Sequence, residues 1–152
     1  MLAKAAPQIP AGMQYEAKWD GFRAMFFVDR GEVVIGSRNE KPLTRYFPEL
    51  AAAATAGSLP ARCVIDGEII IVSDDHLDFD ALQNRIHPAD SRVQMLAEQT
   101  PAEFVGFDLL AVDDQITMGL PQQERRLLLA DALADAAPPF HLAPATTDHD
   151  LA

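Results

Sequence analysis

An α+β chain that opens antiparallel is predicted by three features of the sequence. Two strand-like runs, residues 22–28 and 32–37, are separated only by Asp29, Arg30 and Gly31, which signals a hairpin and leaves no room for a helical crossover. Residues 63–72 are apolar except for Asp66, Gly67 and Glu68, the composition of a central strand. Apolar residues at helical spacing recur elsewhere in the chain, so helices are expected to complete the class.

Taken in order, residues 1–13 hold Pro7, Pro10 and Gly12 among small side chains and read as an extended lead-in. A short strand is expected at 14–18, before the hairpin. Residues 43–56 place Leu43, Phe47, Leu50 and Ala54 on one helical face and stop at Gly57, with Pro48 disturbing the first turn. Asp78 suits the cap of a helix over 79–86, and a second short helix is expected at 92–98 before Pro101. A strand follows at 104–112. Pro121 then precedes an amphipathic helix at 124–134, and the tail from Pro138 is expected to carry no further element of useful length.

The chain has 152 residues, 49% of them apolar, enough for one compact unit. Twelve basic against 23 acidic residues give a net charge of −11, the wrong sign for a module that only grips phosphate backbone, although a small basic site can sit in an acidic surface. The single cysteine, Cys63, lies in an apolar run and has no partner for an internal disulfide, which suits a cytoplasmic setting. No run of apolar residues is long enough to span a bilayer, so no membrane association is expected. His76, His87, His141 and His149 show no zinc-site spacing.

The densest chemistry is EAKWDGFR, residues 16–23. Period-2 alternation would put Glu16, Lys18 and Asp20 on one face, which makes either an exposed salt-bridge ladder or a polar pocket around a lysine amine. Farther on, Ser37, Arg38 and Asn39 form a polar turn whose arginine is either solvated or placed for bidentate phosphate contact. Asp66 and Glu68 must lie at a rim or hold a partner, because a buried unpaired carboxylate is costly. In FVGFDLL, residues 104–110, alternation separates Phe107 from Asp108, so one of the two is expected to face a pocket; a core phenylalanine is the plain alternative.

EAKWDGFR fits the E-x-K-x-D-G-x-R signature of covalent nucleotidyltransferases, and with SRN, DGE and FVGFDLL following in order the chain resembles ATP-dependent DNA ligases of the bacterial end-joining type. The four residues Met1 to Lys4 resemble the segment that precedes this signature. The resemblance implies an ATP-grasp-like adenylation domain of antiparallel sheets flanked by helices, with the nucleotide between them. It makes Lys18 the nucleophile that takes AMP from ATP, sets Glu16 at the adenine amino group and Arg23 at the ribose or phosphate, and gives Arg38 to a phosphate. Glu68 would meet the ribose hydroxyls or Mg²⁺ (or Mn²⁺), and Phe107 would stack on adenine. Nicked duplex DNA is the implied substrate, with DNA repair proteins as further partners.

RNA ligases and capping enzymes share the signature and remain alternatives, as does an inactive nucleotide-binding fragment. The resemblance ends near residue 135 without the family's later glutamate-glycine and lysine motifs. Residues 1–152 are therefore expected to be part of one adenylation domain with a truncated tail at 138–152, and sealing by these residues alone is not expected.

Overall fold

A computed structural model describes residues 8–39 and 41–151, so the segment from Met1 to Lys4 falls outside the described residues. Its centre is a sheet ordered β3-β2-β4-β7-β8, built from β2 (Phe22–Asp29), β3 (Glu32–Ser37), β4 (Arg62–Ile70), β7 (Glu103–Val112) and β8 (Gln115–Ile116). Neighbours on this path are antiparallel. The β2–β3 turn is tighter than the sequence suggests, because Asp29 pairs with Glu32 and only Arg30 and Gly31 remain as the loop. Both loop residues have positive φ, 49° and 94°, the backbone that matches strand twist in a two-residue hairpin.

Alternation along the strands sends Ala24, Phe26 and Val28, then Cys63, Ile65 and Ile69, then Phe104 and Leu109 into one core. The helices close it with Phe47, Leu50, Leu82 and Leu129, each fully buried. The same alternation leaves Arg23, Asp66 and Glu68 off that apolar face, on strands held in place by it.

The stretch at 43–56 divides at Pro48: a 3-10 turn covers Thr44–Tyr46, α1 covers Pro48–Ala53, and a wide turn over Ala54–Ser58 closes at Gly57 with φ 96°. Proline is accepted at the first helical position because its missing N–H has no helical partner there. Leu43, Phe47, Leu50 and Ala54 are all buried, so the predicted face survives the break. The short strands β5 (Val72–Ser73) and β6 (His76–Leu77) lead into α2 (Phe79–Asn84), where Asp78 accepts a hydrogen bond from the Ala81 amide at 2.8 Å. Next come α3 (Asp90–Gln99) and, after β8, α4 (Gln122–Ala132).

The tail departs from expectation. β9 (Phe140–Leu142) pairs parallel with β7, and β10 (Ala145–Thr146) pairs with the opening strand β1 (Tyr15–Glu16). Phe140 is buried against Phe26 and Phe104 in edge-on contacts. Strands of three and two residues carry almost no local signal, and long-range pairing alone makes them visible.

Candidate nucleotide-binding site

The lysine segment hangs between the tail and the central sheet. Tyr15 and Glu16 pair with Thr146 and Ala145, and the strand then ends, so alternation does not run on through Asp20. The expected arrangement of one amine between two carboxylates is corrected accordingly. Glu16 accepts a hydrogen bond from Gln14 at 2.8 Å, while the Lys18 Nζ lies 3.9 Å from Asp20 with its side chain 85% exposed. Trp19, between them, packs onto Ile70, Val105 and Ala143, a small apolar cluster that also takes Phe107. Burial of the indole anchors a segment that otherwise has only a two-residue ladder.

Gly21 has a packing reason. A Cβ there would stand 2.3 Å from the Ile69 carbonyl oxygen and 2.8 Å from Glu68 Cγ, so only glycine lets this turn lie on β4. The close approach is to the backbone of β4.

Arg23 is Cα partner of Glu68 but bonds to the diagonal neighbour Asp66: Nε to Oδ1 at 3.1 Å and Nη2 to Oδ2 at 2.6 Å. Asp66 is only 6% exposed, so the costly carboxylate in the apolar strand has its counter-charge. The Arg23 guanidinium also lies 5.5 Å from the Phe107 ring centre. Asp66 raises the Arg23 pKa through their hydrogen bond, with burial opposing. Burial pushes the Glu68 carboxyl up, while Arg23 and Lys18 pull it down, so Glu68 feels both cations of the segment.

Phe107 stands on a bulge. Asp66 pairs with Asp108 but Gly67 with Gly106, which leaves Phe107 as the extra residue of β7. The bulge interrupts the alternation at Phe107, whose ring lies by Arg23, while the neighbouring Asp108 carboxylate is bonded to Arg125. Arg38 occupies the exposed turn after β3, level with Arg23 because Ser37 pairs with Ala24. Lys18, Arg23, Glu68 and Phe107 thus form one neighbourhood, with Arg38 at the sheet edge and Glu16 on the exposed β1–β10 ladder.

Two pairings escaped the sequence reading. Asp66 was visible only as an acid needing a partner, and Asp108 and Arg125 gave no sign that they bond to each other by two contacts, at 2.7 and 2.9 Å. Among the described residues no three His, Cys, Asp or Glu side chains gather as a ready-made metal cage. Glu68 is a half-buried carboxylate, and such a group gains from a cation beside it.

A twisted antiparallel sheet with a lysine–arginine–carboxylate cluster and a ring at one end has the form of a nucleotidyltransferase core. The chain belongs to the ATP-dependent DNA ligase domain family, whose model matches residues 1–151. It is 64% identical over 148 residues to DNA ligase C2 of Mycolicibacterium smegmatis, covering 97% of this chain and 42% of that protein. With DNA ligase C of Mycobacterium tuberculosis it shares 59% identity over 152 residues, again covering 42% of the relative. The chain therefore spans about two fifths of these relatives. The Mycobacterium tuberculosis protein named multifunctional non-homologous end joining DNA repair protein LigD is 33% identical over 122 residues, or 14% of its length.

Among solved structures, the ligase domain of Mycobacterium tuberculosis LigD matches with a TM-score of 0.67 and 30% identity, over 86% of this chain and 38% of that one. A mycobacterial DNA ligase D complexed with ATP and MES matches with a TM-score of 0.65 and 29% identity, over 87% and 39%. The mixed helix and antiparallel sheet architecture is that of these neighbours.

Proposed function

We propose that this chain is the nucleotide-adenylating part of an ATP-dependent DNA ligase. In this reading the Lys18 amine, once deprotonated, attacks the α-phosphorus of ATP; an N–P bond forms, the bond to pyrophosphate breaks, and AMP is left on the lysine as a phosphoramidate. AMP then passes to the 5′-phosphate of a DNA nick, and the 3′-hydroxyl displaces it to join the strand. The observation that carries the reading is the placing of Arg23, Asp66, Glu68 and the Phe107 ring beside the turn that holds Lys18.

Each side chain has a task that suits its setting. Lys18 is exposed, so an incoming phosphate meets no obstruction. Arg23 is oriented by Asp66 before ligand arrives, which lowers the entropy cost of gripping ribose or phosphate. Phe107 offers a ring for adenine, Glu16 an acceptor for the adenine amino group, and Arg38 a phosphate contact at the sheet edge. Glu68 would meet the ribose hydroxyls or hold Mg²⁺ or Mn²⁺, whose charge, when bound, offsets that of the phosphates.

Nicked duplex DNA is the proposed substrate. End-joining repair proteins are the proposed partners, on the strength of the LigD name. A reducing cytoplasm is the proposed setting, consistent with the buried free thiol of Cys63. The test is transfer of label from ATP, marked at the α-phosphate, onto the protein expressed from the full reading frame. Wild type should take label and Lys18→Ala none; label retained on Lys18→Ala overturns the proposal.

A further inference from the structure

Two aspartates face each other where β4 meets β7, since Asp66 and Asp108 are Cα partners. Like charges in that position weaken a ladder unless each is neutralised. Each is taken by its own arginine from a different element: Asp66 by Arg23 of β2, and Asp108 by Arg125 of α4, with Nε to Oδ1 at 2.7 Å and Nη2 to Oδ2 at 2.9 Å. The Arg125 Nη1 donates to the Leu120 carbonyl at 2.7 Å, so the guanidinium is also fixed on its other side. Neither partner is loosely held at the surface, the side chains being 17% and 21% exposed. Arg126, the next residue, donates to the carbonyl of Ala143, a member of the cluster under Trp19 and Phe107.

Phe107 is the one residue between Gly106 and Asp108 that has no partner on β4. Its backbone is therefore set by its neighbours, and Asp108 is the neighbour that α4 clamps. Arg23 already feels the Asp108 carboxylate, so an Asp108 released from Arg125 would compete with Asp66 for the guanidinium that lies by the Phe107 ring.

We infer that Arg125 is a positioning residue for nucleotide binding: by holding Asp108 it fixes the bulge that presents Phe107 and reserves Arg23 for Asp66. This rests on the proposed role of Phe107 as the ring that stacks on adenine. Arg125 itself acts from the helix packed behind β7, through Asp108.

The experiment uses protein from the full reading frame and reads KM for ATP, kcat of self-adenylation and thermal midpoint for each variant. Arg125→Ala should raise KM about tenfold with kcat within about twofold, the size expected of neighbouring coupled residues. Arg125→Lys, which keeps the charge but loses the fork, should fall between. Asp108→Asn with Arg125→Ala should bring KM back only part of the way towards wild type, because a neutral amide no longer competes for Arg23 while the bulge stays unclamped. In a Phe107→Leu background, Arg125→Ala should raise KM by less than it does in the wild-type background.

A role in stability alone would lower the midpoint and leave KM in place, and that result overturns the inference. Additive effects of Arg125→Ala and Phe107→Leu overturn it as well. Failure of the wider reading looks different: wild type that takes no label, or Phe107→Leu with unchanged KM, overturns the assigned site and this inference with it. A labelled wild type and a sensitive Phe107, with an insensitive Arg125, overturn the inference alone.

Discussion

Arg85 and Arg23 each meet a carboxylate through two nitrogens, yet their surroundings differ. Arg85 is fully buried: its Nη atoms reach both oxygens of Glu49 at 2.8 Å and the carbonyls of Tyr46 and Thr100, and the Phe47 ring lies 5.1 Å away. Glu49 in turn accepts the Ala102 amide at 3.0 Å, so the pair ties α1, the end of α2 and the approach to β7 into one joint. The Arg23 side chain keeps 26% of its surface and looks onto Phe107 and Glu68. Burial of an arginine–carboxylate pair does not by itself mark a site. The mark is a pair with one side left open, beside groups that also have use for a ligand.

Five variants test that contrast, in order of expected effect. Lys18→Arg should abolish AMP transfer as completely as Lys18→Ala, because arginine keeps its proton and is a poor nucleophile; label on the arginine variant would place the nucleophile elsewhere. Arg85→Ala should then cost about 3–5 kcal/mol of stability, measured by urea unfolding, since it leaves Glu49 half-enclosed and uncompensated. Its KM for ATP should stay within about twofold, while Arg23→Ala should raise KM at least tenfold, effects of the size that separate coupled from distant sites. Equal KM shifts in the two variants would dissolve the distinction between joint and site. Phe107→Leu, which keeps apolar volume but removes the ring, should raise KM by roughly threefold to tenfold, the value of about one aromatic stacking contact. No change there would return Phe107 to the core.

The smallest effect concerns Glu68. Burial makes its carboxyl hold a proton more readily in the folded chain than in the unfolded one, so ionisation works against folding. That cost is absent below the unfolded value, near about pH 4.3, and reaches its full size once pH exceeds the raised folded value. In EDTA at pH 7, Glu68→Gln should lift the thermal midpoint by about 1–2 °C, and the gain should vanish below about pH 4. The same variant should adenylate more slowly, with ATP binding less affected. A midpoint lowered at pH 7 would show that the carboxylate is structural.

Strong local patterns were legible in the sequence. The hairpin, the central strand, the helix cap at Asp78 and the core face of Leu43, Phe47, Leu50 and Ala54 all declare themselves by period or by breaker. Lys18, Arg23, Glu68 and Phe107 were named because their order fits a signature, and the register brings them into one neighbourhood. What was hidden depends on distance along the chain. Nothing near Arg85 announces Glu49, nothing near Arg125 announces Asp108, and a bulge changes facing without changing composition. The tail misled for the same reason, since β9 and β10 exist only by virtue of β7 and β1.

That last pairing bears on the order in which the chain folds. β1 meets β10 across almost the whole length of the described chain, whereas β2 and β3 meet across two residues. Contacts that close long loops form slowly, and a growing polypeptide has no partner for Glu16 until Ala145 has been made. The hairpin and β4 should acquire hydrogen-exchange protection first in a refolding pulse experiment, and the amides of the β1–β10 ladder last. Synthesis would thus finish the scaffold before it completes the support of the Lys18 segment, and a chain stalled short of Ala145 would lack the β1–β10 ladder that precedes that lysine.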